Sequence, residues 1–341
     1  MGGNKSPCVT GVSSCLENWN KNGIVISPDL DGILSGVVLA SEYDAEIIGI
    51  YHTNIDEESR LLRLGNASNE ELKSALWVDV DICSNEIQSI GQHIIHRDID
   101  DVLSLRHPHS YNPHDTLSRS WRSRFTDKFP YSTSDILIEG LGIETQPLSG
   151  LSTLRCLADS MYENGSLLNW RISNPIEWNR EFFGDSEYLT WINGEDFLCS
   201  IENFQQLATI QSTLIENGIS ETQPEYRLGF IKRIKGQAID PSIISSGDGL
   251  QTLISSLSEI AGFHGVRIRG EVSGVAGRGE IYTHPRKRPH QPNHHELTED
   301  FDEYLREINA FSYAFSAGQK KSAKSHLRIT IDFDWNEYIE L

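Results

Sequence analysis

The hydrophobic and polar positions near the start of the chain alternate between short apolar runs and a longer run with helical spacing. Apolar runs of strand length occur at Gly23–Ile26, Glu46–His52 and Ala75–Val78. The 3.6-residue apolar period at Ile33–Ala40 predicts a helix between the first two runs. This order of elements predicts a parallel, doubly wound α/β sheet, in which ligands bind beyond the carboxyl ends of the strands.

Acidic residues stand where several of these runs end. Asp29 and Asp31 follow the first run, Asp79 follows the third, and a further strand-like run at Gln92–Asp100 carries histidine and aspartate. Carboxylates two residues apart at the end of a strand can share one rim of the sheet, and Gly32 permits a tight turn there. Converging oxygen ligands suit Mg²⁺ or Mn²⁺. The alternative is that the first two aspartates only cap the following helix.

These residues resemble the DHH phosphoesterases, a family of RecJ-like exonucleases, short-oligonucleotide and cyclic-dinucleotide phosphodiesterases, and exopolyphosphatases. Asp29–Ser35 is similar to the first motif of that family, and Val78–Glu86 is similar to its second. The third motif, Asp-His-His in the family, corresponds only to His96-Arg97-Asp98, and Ser27 stands where the family has a leading histidine. The chain therefore resembles a divergent relative, over roughly its first half.

The resemblance implies a metal site and a reaction. One or two Mn²⁺ or Mg²⁺ ions would be held by acids and one histidine, namely Asp29, Asp31, Asp79, His96, Asp98 and Asp159. Asp79 would bridge two ions, which would activate water and neutralise the charge that develops on a phosphodiester. Because Ser27 removes an expected imidazole, a catalytically eroded subunit that binds a nucleotide or a partner is an alternative.

Other residues are predicted to contact the substrate. Arg97 cannot act as a base, because guanidinium stays protonated, but it can clamp a phosphate. A surface ion pair with a neighbouring aspartate accounts for it equally well. His107 and His109 lie in a proline-broken loop and are predicted to donate to phosphate, one of them as a general acid; a solvated polar loop is the alternative. His114 belongs to a segment that resembles the asparagine-proline segment of the family.

The charge balance restricts where an anionic substrate could bind. The chain has 29 Lys and Arg residues against 49 Asp and Glu residues, a net charge of −20. Long-range attraction to nucleic acid is therefore excluded, and binding needs local clusters of cations. Two clusters occur in the C-terminal half, and they are predicted to grip substrate: Arg286, Lys287 and Arg288, and Lys320 and Lys321.

The chain is predicted to divide into a lead-in (1–22), a metal-binding α/β domain (23–160), a helical connector (161–197) and a smaller α+β substrate-binding domain (198–341). Five cysteines without paired spacing indicate reduced thiols in the cytoplasm. No apolar run approaches about 20 residues, so a membrane span is not expected. The acidic surface is compatible with a protein partner or a homo-oligomer.

The predicted function is metal-dependent hydrolysis of phosphodiester bonds in nucleotides, short oligonucleotides or single-stranded nucleic acid. A phosphatase of the haloacid-dehalogenase type is a rival, because Asp29-Leu30-Asp31-Gly32 also begins the motif of that family. Ile33 stands where that family usually has threonine. The second acid-ended strand, at Asp79, favours the DHH resemblance.

Overall fold

The computed structural model describes most of the chain, in segments. The described residues are 6–55, 58–93, 95–96, 103–116, 129–158, 178–184, 186–192, 205–217, 219–221, 234–239, 247–283, 301–316 and 326–335. Within this part of the chain, no helix is both long enough and apolar enough to cross a lipid bilayer.

Helices and strands alternate in the first half of the chain. The described helices are α1 (Pro7–Glu17), α2 (Leu30–Tyr43), α3 (Asn69–Ser74), α4 (Pro113–Thr116), α5 (Thr133–Leu141), α6 (Gly150–Leu157), α7 (Glu187–Ile192), α8 (Gln205–Glu216), α9 (Gly247–Ala261) and α10 (Phe301–Glu307), with a π-helical turn at Asn179–Phe183. The described strands are β1 (Ile24–Ile26), β2 (Glu46–Ile55), β3 (Glu58–Leu64), β4 (Leu76–Val78), β5 (Ser89–Ile90), β6 (Ile219–Glu221), β7 (Ile234–Ile239), β8 (Arg267–Ile268), β9 (Val272–Thr283), β10 (Ala310–Ser316) and β11 (His326–Asp334).

Nine of these strands form one mixed sheet, in the order β10-β11-β9-β3-β2-β1-β4-β5, with β8 beside the start of β2. The strands β2, β1, β4 and β5 run parallel, whereas β3, β9, β11 and β10 continue the sheet in antiparallel fashion. The predicted α/β class is confirmed. The predicted parallel pairing occurs in β2, β1, β4 and β5, and the other half of the sheet is antiparallel.

The sheet curls until its far edge meets the segment after β4. Ile82 forms an antiparallel bridge with Ser312 of β10, and the Cys83 N–H donates to the Phe311 carbonyl at 2.6 Å. Pairing of this kind satisfies backbone groups that an open edge would leave exposed. The C-terminal strands are therefore part of the same sheet as the acid-bearing strands.

The two faces of the sheet carry separate hydrophobic clusters, because successive side chains of a strand point to opposite faces. Ile24 and Ile26 face the cluster that includes residues of α1, α2, α5, α6 and α9, whereas Val25 faces the other cluster. On that second face, Trp77 and Tyr51 pack with aromatic residues of β10 and β11. Helices cover the first face, and curling of the sheet helps to cover the second.

Two elements differ from the sequence-based prediction. The strand β3 was not predicted; it pairs with β2 as an antiparallel hairpin. The strand predicted from Gln92 is wrong over its described residues, because the short strand β5 ends at Ile90 and the chain turns at His93. Residues that follow β5 therefore reach the carboxyl edge of the sheet on a loop.

Candidate functional site

The candidate site lies where the strand order reverses. The strand β1 lies between β2 and β4, and the chain passes first to β2 through α2 and later to β4 through α3. Such a reversal opens a crevice beyond the carboxyl ends of the strands. Asp29 and Asp31 follow β1, and Asp79 follows β4 directly, so the structure places all three at this edge.

Asp29 and Asp79 meet at the hydroxyl of Ser27. Ser27 Oγ lies 2.9 Å from Asp29 Oδ1 and 2.7 Å from Asp79 Oδ2. A serine hydroxyl has one proton, and an ionised carboxylate has none to donate. The two carboxylates therefore share the single proton of the Ser27 hydroxyl. Ser27 thus joins two of the residues that were predicted to bind metal.

Asp79 is held on its other side by the start of α5. Thr133 Oγ1 donates to Asp79 Oδ1 at 2.9 Å, so both carboxylate oxygens of Asp79 have partners. Asp79 is buried, and its backbone adopts the left-handed region with φ 59°. Aspartate is among the few residues other than glycine that are found there with some frequency. The backbone conformation thus turns the chain away from the sheet just after β4.

Asp31 is completely buried and faces the first turn of α5. Its two carboxylate oxygens accept the N–H groups of Thr133 and Ser134, each at 2.8 Å. Burial and, to a smaller extent, the charge of Asp29 raise the pKa of Asp31 to about 7, although the hydrogen bonds from the two N–H groups act to lower it. The cap alternative therefore applies to Asp29, which accepts the Gly32 N–H at 2.9 Å at the start of α2. It does not apply to Asp31, which lies within α2 and binds N–H groups of α5 instead.

A second polar network surrounds Asp81, which was not among the predicted site residues. Asn112 Nδ2 donates to Asp81 Oδ1 at 2.8 Å, and His93 Nδ1 lies 3.2 Å from Asp81 Oδ2. Gly91 lies directly against this carboxylate, and a side chain at that position would overlap it. The alternation of Asp79 and Asp81 along the chain was a signal that both carboxylates belong to this edge.

His96 is placed in a third contact, with the carboxylate of Asp115. His96 Nε2 lies 2.6 Å from Asp115 Oδ1, and Arg106 Nη1 donates to Asp115 Oδ2 at 2.6 Å. Burial alone would raise the pKa of Asp115, but Arg106 and His96 outweigh it and lower the pKa to about 2. Neither Asp115 nor Arg106 was predicted from the sequence.

The three predicted loop histidines take different positions. The loop runs parallel to β5, with Tyr111 beside Ile90, and the His109 carbonyl accepts from Gln88, which precedes β5. His109, whose ring is 5.5 Å from that of His107, is therefore near the amino end of β5, away from the aspartates. The structure does not bring this histidine pair to the carboxyl edge. His114 is buried, with its ring against Trp178.

Several predicted residues lie outside the described part of the chain, so their predicted roles stay predictions: Arg97, Asp98, Asp159, Arg286, Lys287, Arg288, Lys320 and Lys321. Among the described residues, no group of three or more His, Cys, Asp or Glu side chains is arranged to hold a metal ion. Comparison of the chain with protein-family models, with curated proteins and with solved structures found no match.

The residues that sequence reasoning missed come mainly from segments without an acid-ended strand. Thr133 belongs to Ser132-Thr133-Ser134-Asp135, in which Ser132 and Asp135 form a capping box at the start of α5. A Ser-x-x-Asp pattern before an apolar run is a recognisable helix start. That signal locates the helix, but it does not show that the helix points at the acids.

Proposed function

We propose that the chain is a divalent-metal-dependent phosphoesterase that acts on nucleotides, short oligonucleotides or single-stranded nucleic acid. The observation that carries this proposal is the meeting of Asp29 and Asp79 at the Ser27 hydroxyl, beyond the carboxyl ends of two adjacent parallel strands. Two carboxylates that share one hydroxyl proton form a site that a cation would stabilise. Asp29 is partly exposed, so the site can be reached from solvent.

The donor set suits Mg²⁺ or Mn²⁺. Both are hard cations that prefer oxygen, and Mg²⁺ is commonly bound through one or two carboxylates while it keeps several waters. Asp29 and Asp79 would hold the ion. Asp31 is committed to the N–H groups of α5 and would act by fixing that helix beside Asp79. When bound, the ion would supply an activated water and stabilise negative charge on the phosphate.

A second candidate function has its own supporting observation. Both oxygens of Asp79 and both oxygens of Asp31 already accept hydrogen bonds from the protein. A site whose acids are satisfied internally favours a binding subunit that has lost catalysis. The two candidates differ in turnover, because only the enzyme would consume a phosphodiester.

A hydrolysis assay distinguishes the two candidate functions. Purified protein is incubated with labelled short oligonucleotides, cyclic dinucleotides or pyrophosphate, in the presence of Mn²⁺, Mg²⁺ or EDTA. The enzyme is expected to turn over at least one phosphodiester with metal and none with EDTA, and Asp79→Asn is expected to abolish that turnover. The matched control is Asp302→Asn, which changes an aspartate that pairs with Arg306 on α10. Turnover that survives Asp79→Asn, or that is absent with every substrate, would refute the proposal.

A further inference from the structure

Asp81 and His93 form a carboxylate–imidazole pair at the carboxyl edge of the sheet. His93 Nδ1 lies 3.2 Å from Asp81 Oδ2. The side chain of Asp81 is 1% exposed, whereas that of His93 is 33% exposed. The carboxylate is therefore shielded from water, while the ring that it contacts can exchange protons with solvent or with a bound molecule.

The surrounding residues fix this pair in place. Asn112 Nδ2 donates to Asp81 Oδ1 at 2.8 Å and to the His93 carbonyl at 2.9 Å, so one amide holds both members. A Cβ atom at Gly91 would lie 2.4 Å from Asp81 Oδ1. Only a residue without a side chain lets the loop after β5 pass this close to the carboxylate, and that loop carries His93.

The pair lies at the same edge of the sheet as Asp79. The Asp79 N–H donates to the Ile90 carbonyl at 2.8 Å, so β4 and β5 stay together as far as Asp79. Asp81 is two residues further along the chain, a separation of at most about 7 Å. His93 follows Ile90 by three residues. A phosphodiester bound at Asp29 and Asp79 would therefore have the imidazole on its β5 side.

The protons of the imidazole can be assigned from its contact with the carboxylate. An ionised carboxylate only accepts hydrogen bonds, so His93 Nδ1 must carry a proton. Nε2 then has a lone pair in the neutral ring and a second proton in the imidazolium. A buried carboxylate behind the ring orients it and stabilises the imidazolium, as in enzymes that transfer protons through histidine. Two further charges lie nearby among the described residues: Arg106, with Nη2 4.0 Å from Asp81 Oδ1, and Asp115, which Arg106 contacts.

We propose that His93, oriented by Asp81, is the general acid that protonates the leaving oxygen of a phosphodiester. This inference rests on the proposed function and adds a catalytic residue to it. As water adds to phosphorus, the bond from phosphorus to the leaving oxygen breaks, and its electron pair stays on that oxygen. The oxygen takes the proton from His93 Nε2, the added water loses a proton to solvent, and the ring regains one from solvent. General acid catalysis of this kind contributes about 10²- to 10⁴-fold to the rate.

The benefit of a general acid depends on the leaving group, and this dependence tests the inference. A nucleoside leaves as an alcohol and needs a proton, whereas p-nitrophenol leaves as a stable anion. In the presence of Mn²⁺, His93→Gln is expected to lower kcat about 10²- to 10⁴-fold with a thymidine dinucleotide. It is expected to leave kcat nearly unchanged with the p-nitrophenyl ester of thymidine monophosphate. The matched control is His264→Gln, which alters an exposed histidine in the loop after α9 and is expected to change neither rate.

Asp81→Asn tests the positioning role of the carboxylate. Asn112 offers a donor to this side chain, so the amide oxygen is expected to face it, and the NH₂ group would face His93 Nδ1. Nδ1 would then become an acceptor, and the ring would no longer be held in the tautomer of the wild type. The variant is expected to lose kcat selectively with the dinucleotide, as His93→Gln does.

The two substrates also separate the possible outcomes. With the dinucleotide, kcat of the wild type is expected to fall relative to the ester as rising pH deprotonates the imidazolium, and this difference is expected to vanish in His93→Gln. A purely structural role of His93 would lower both rates by the same factor. Equal losses, or no loss with the dinucleotide, would overturn the inference and leave the proposed function standing. Turnover of the ester alone by the wild type would also overturn the inference, and turnover of neither substrate would overturn both proposals.

Discussion

The buried carboxyl of Asp31 makes the strongest prediction about pH. Burial and the charge of Asp29 raise its pKa from 3.8 to about 7, against the N–H groups of Thr133 and Ser134. Between these two values the folded chain binds more protons than the unfolded chain. The free energy of unfolding therefore falls as the pH rises through this window, and the contribution of Asp31 is fully present only below pH 3.8.

The size of the effect follows from the difference between the two pKa values, which is about 3. Each pKa unit corresponds to about 1.4 kcal/mol, so the contribution of Asp31 changes by about 4 kcal/mol at most. Asp31→Asn removes the titration. Its amide offers one acceptor oxygen to two N–H groups, so it also loses one hydrogen bond, at a cost of about 1–3 kcal/mol that does not depend on pH.

Urea denaturation in EDTA at pH 4, 5, 6, 7 and 8 measures this difference, with tryptophan fluorescence as the signal and constant ionic strength. The wild-type chain is expected to lose stability relative to Asp31→Asn as the pH rises, by up to about 4 kcal/mol over the series. A difference that stays constant within about 0.5 kcal/mol would refute the reasoning. It would mean that the two N–H groups of α5 keep Asp31 ionised throughout.

Two further substitutions test the supports of the site. Thr133→Val removes the hydroxyl that donates to Asp79 at 2.9 Å and is expected to cost about 1–3 kcal/mol in urea denaturation, with Thr133→Ser close to the wild type. Arg155→Met breaks buried ion pairs to Asp135 and Glu139, each at 2.7 Å, and is expected to cost about 3–5 kcal/mol in thermal unfolding. An Arg155→Met change below about 1 kcal/mol would show that this buried network is replaceable by apolar packing.

Local patterns were sufficient for the first part of the fold. The apolar run of β1, the helical period of α2 and the apolar run of β2 each carry their own signal, and all three elements were predicted. The strand β3 forms a local hairpin with β2, but its second partner, β9, is distant in sequence: Leu61 pairs with Gly277. No local period reports such a pairing, and the antiparallel half of the sheet was therefore not predicted.

In the candidate site, too, the features set by neighbouring residues were predicted and the contacts between distant segments were not. The positions of Asp29 and Asp79 at the carboxyl edge follow from the strands that precede them, and the sequence predicted both. The partner of Asp31 is 102 residues away in the chain, at Thr133. The packing of α5 against α2 decides which groups these carboxylates contact. From the sequence alone, a carboxylate near the start of a helix can be either a metal ligand or a helix cap.

The second half of the chain also contributes to the site, although it supplies none of the described acids. The Tyr313 N–H of β10 donates to the Asp81 carbonyl at 3.3 Å, and the Tyr313 hydroxyl donates to the Ile95 carbonyl at 2.9 Å. These bonds hold the loops after β4 and β5, which carry Asp81 and His96. The positions of the acids and of the imidazole relative to each other therefore depend on β10, more than 200 residues further along the chain. Any substitution that loosens β10 is expected to disturb His96 before it disturbs Asp29, because Asp29 is held by Ser27 and the first turn of α2.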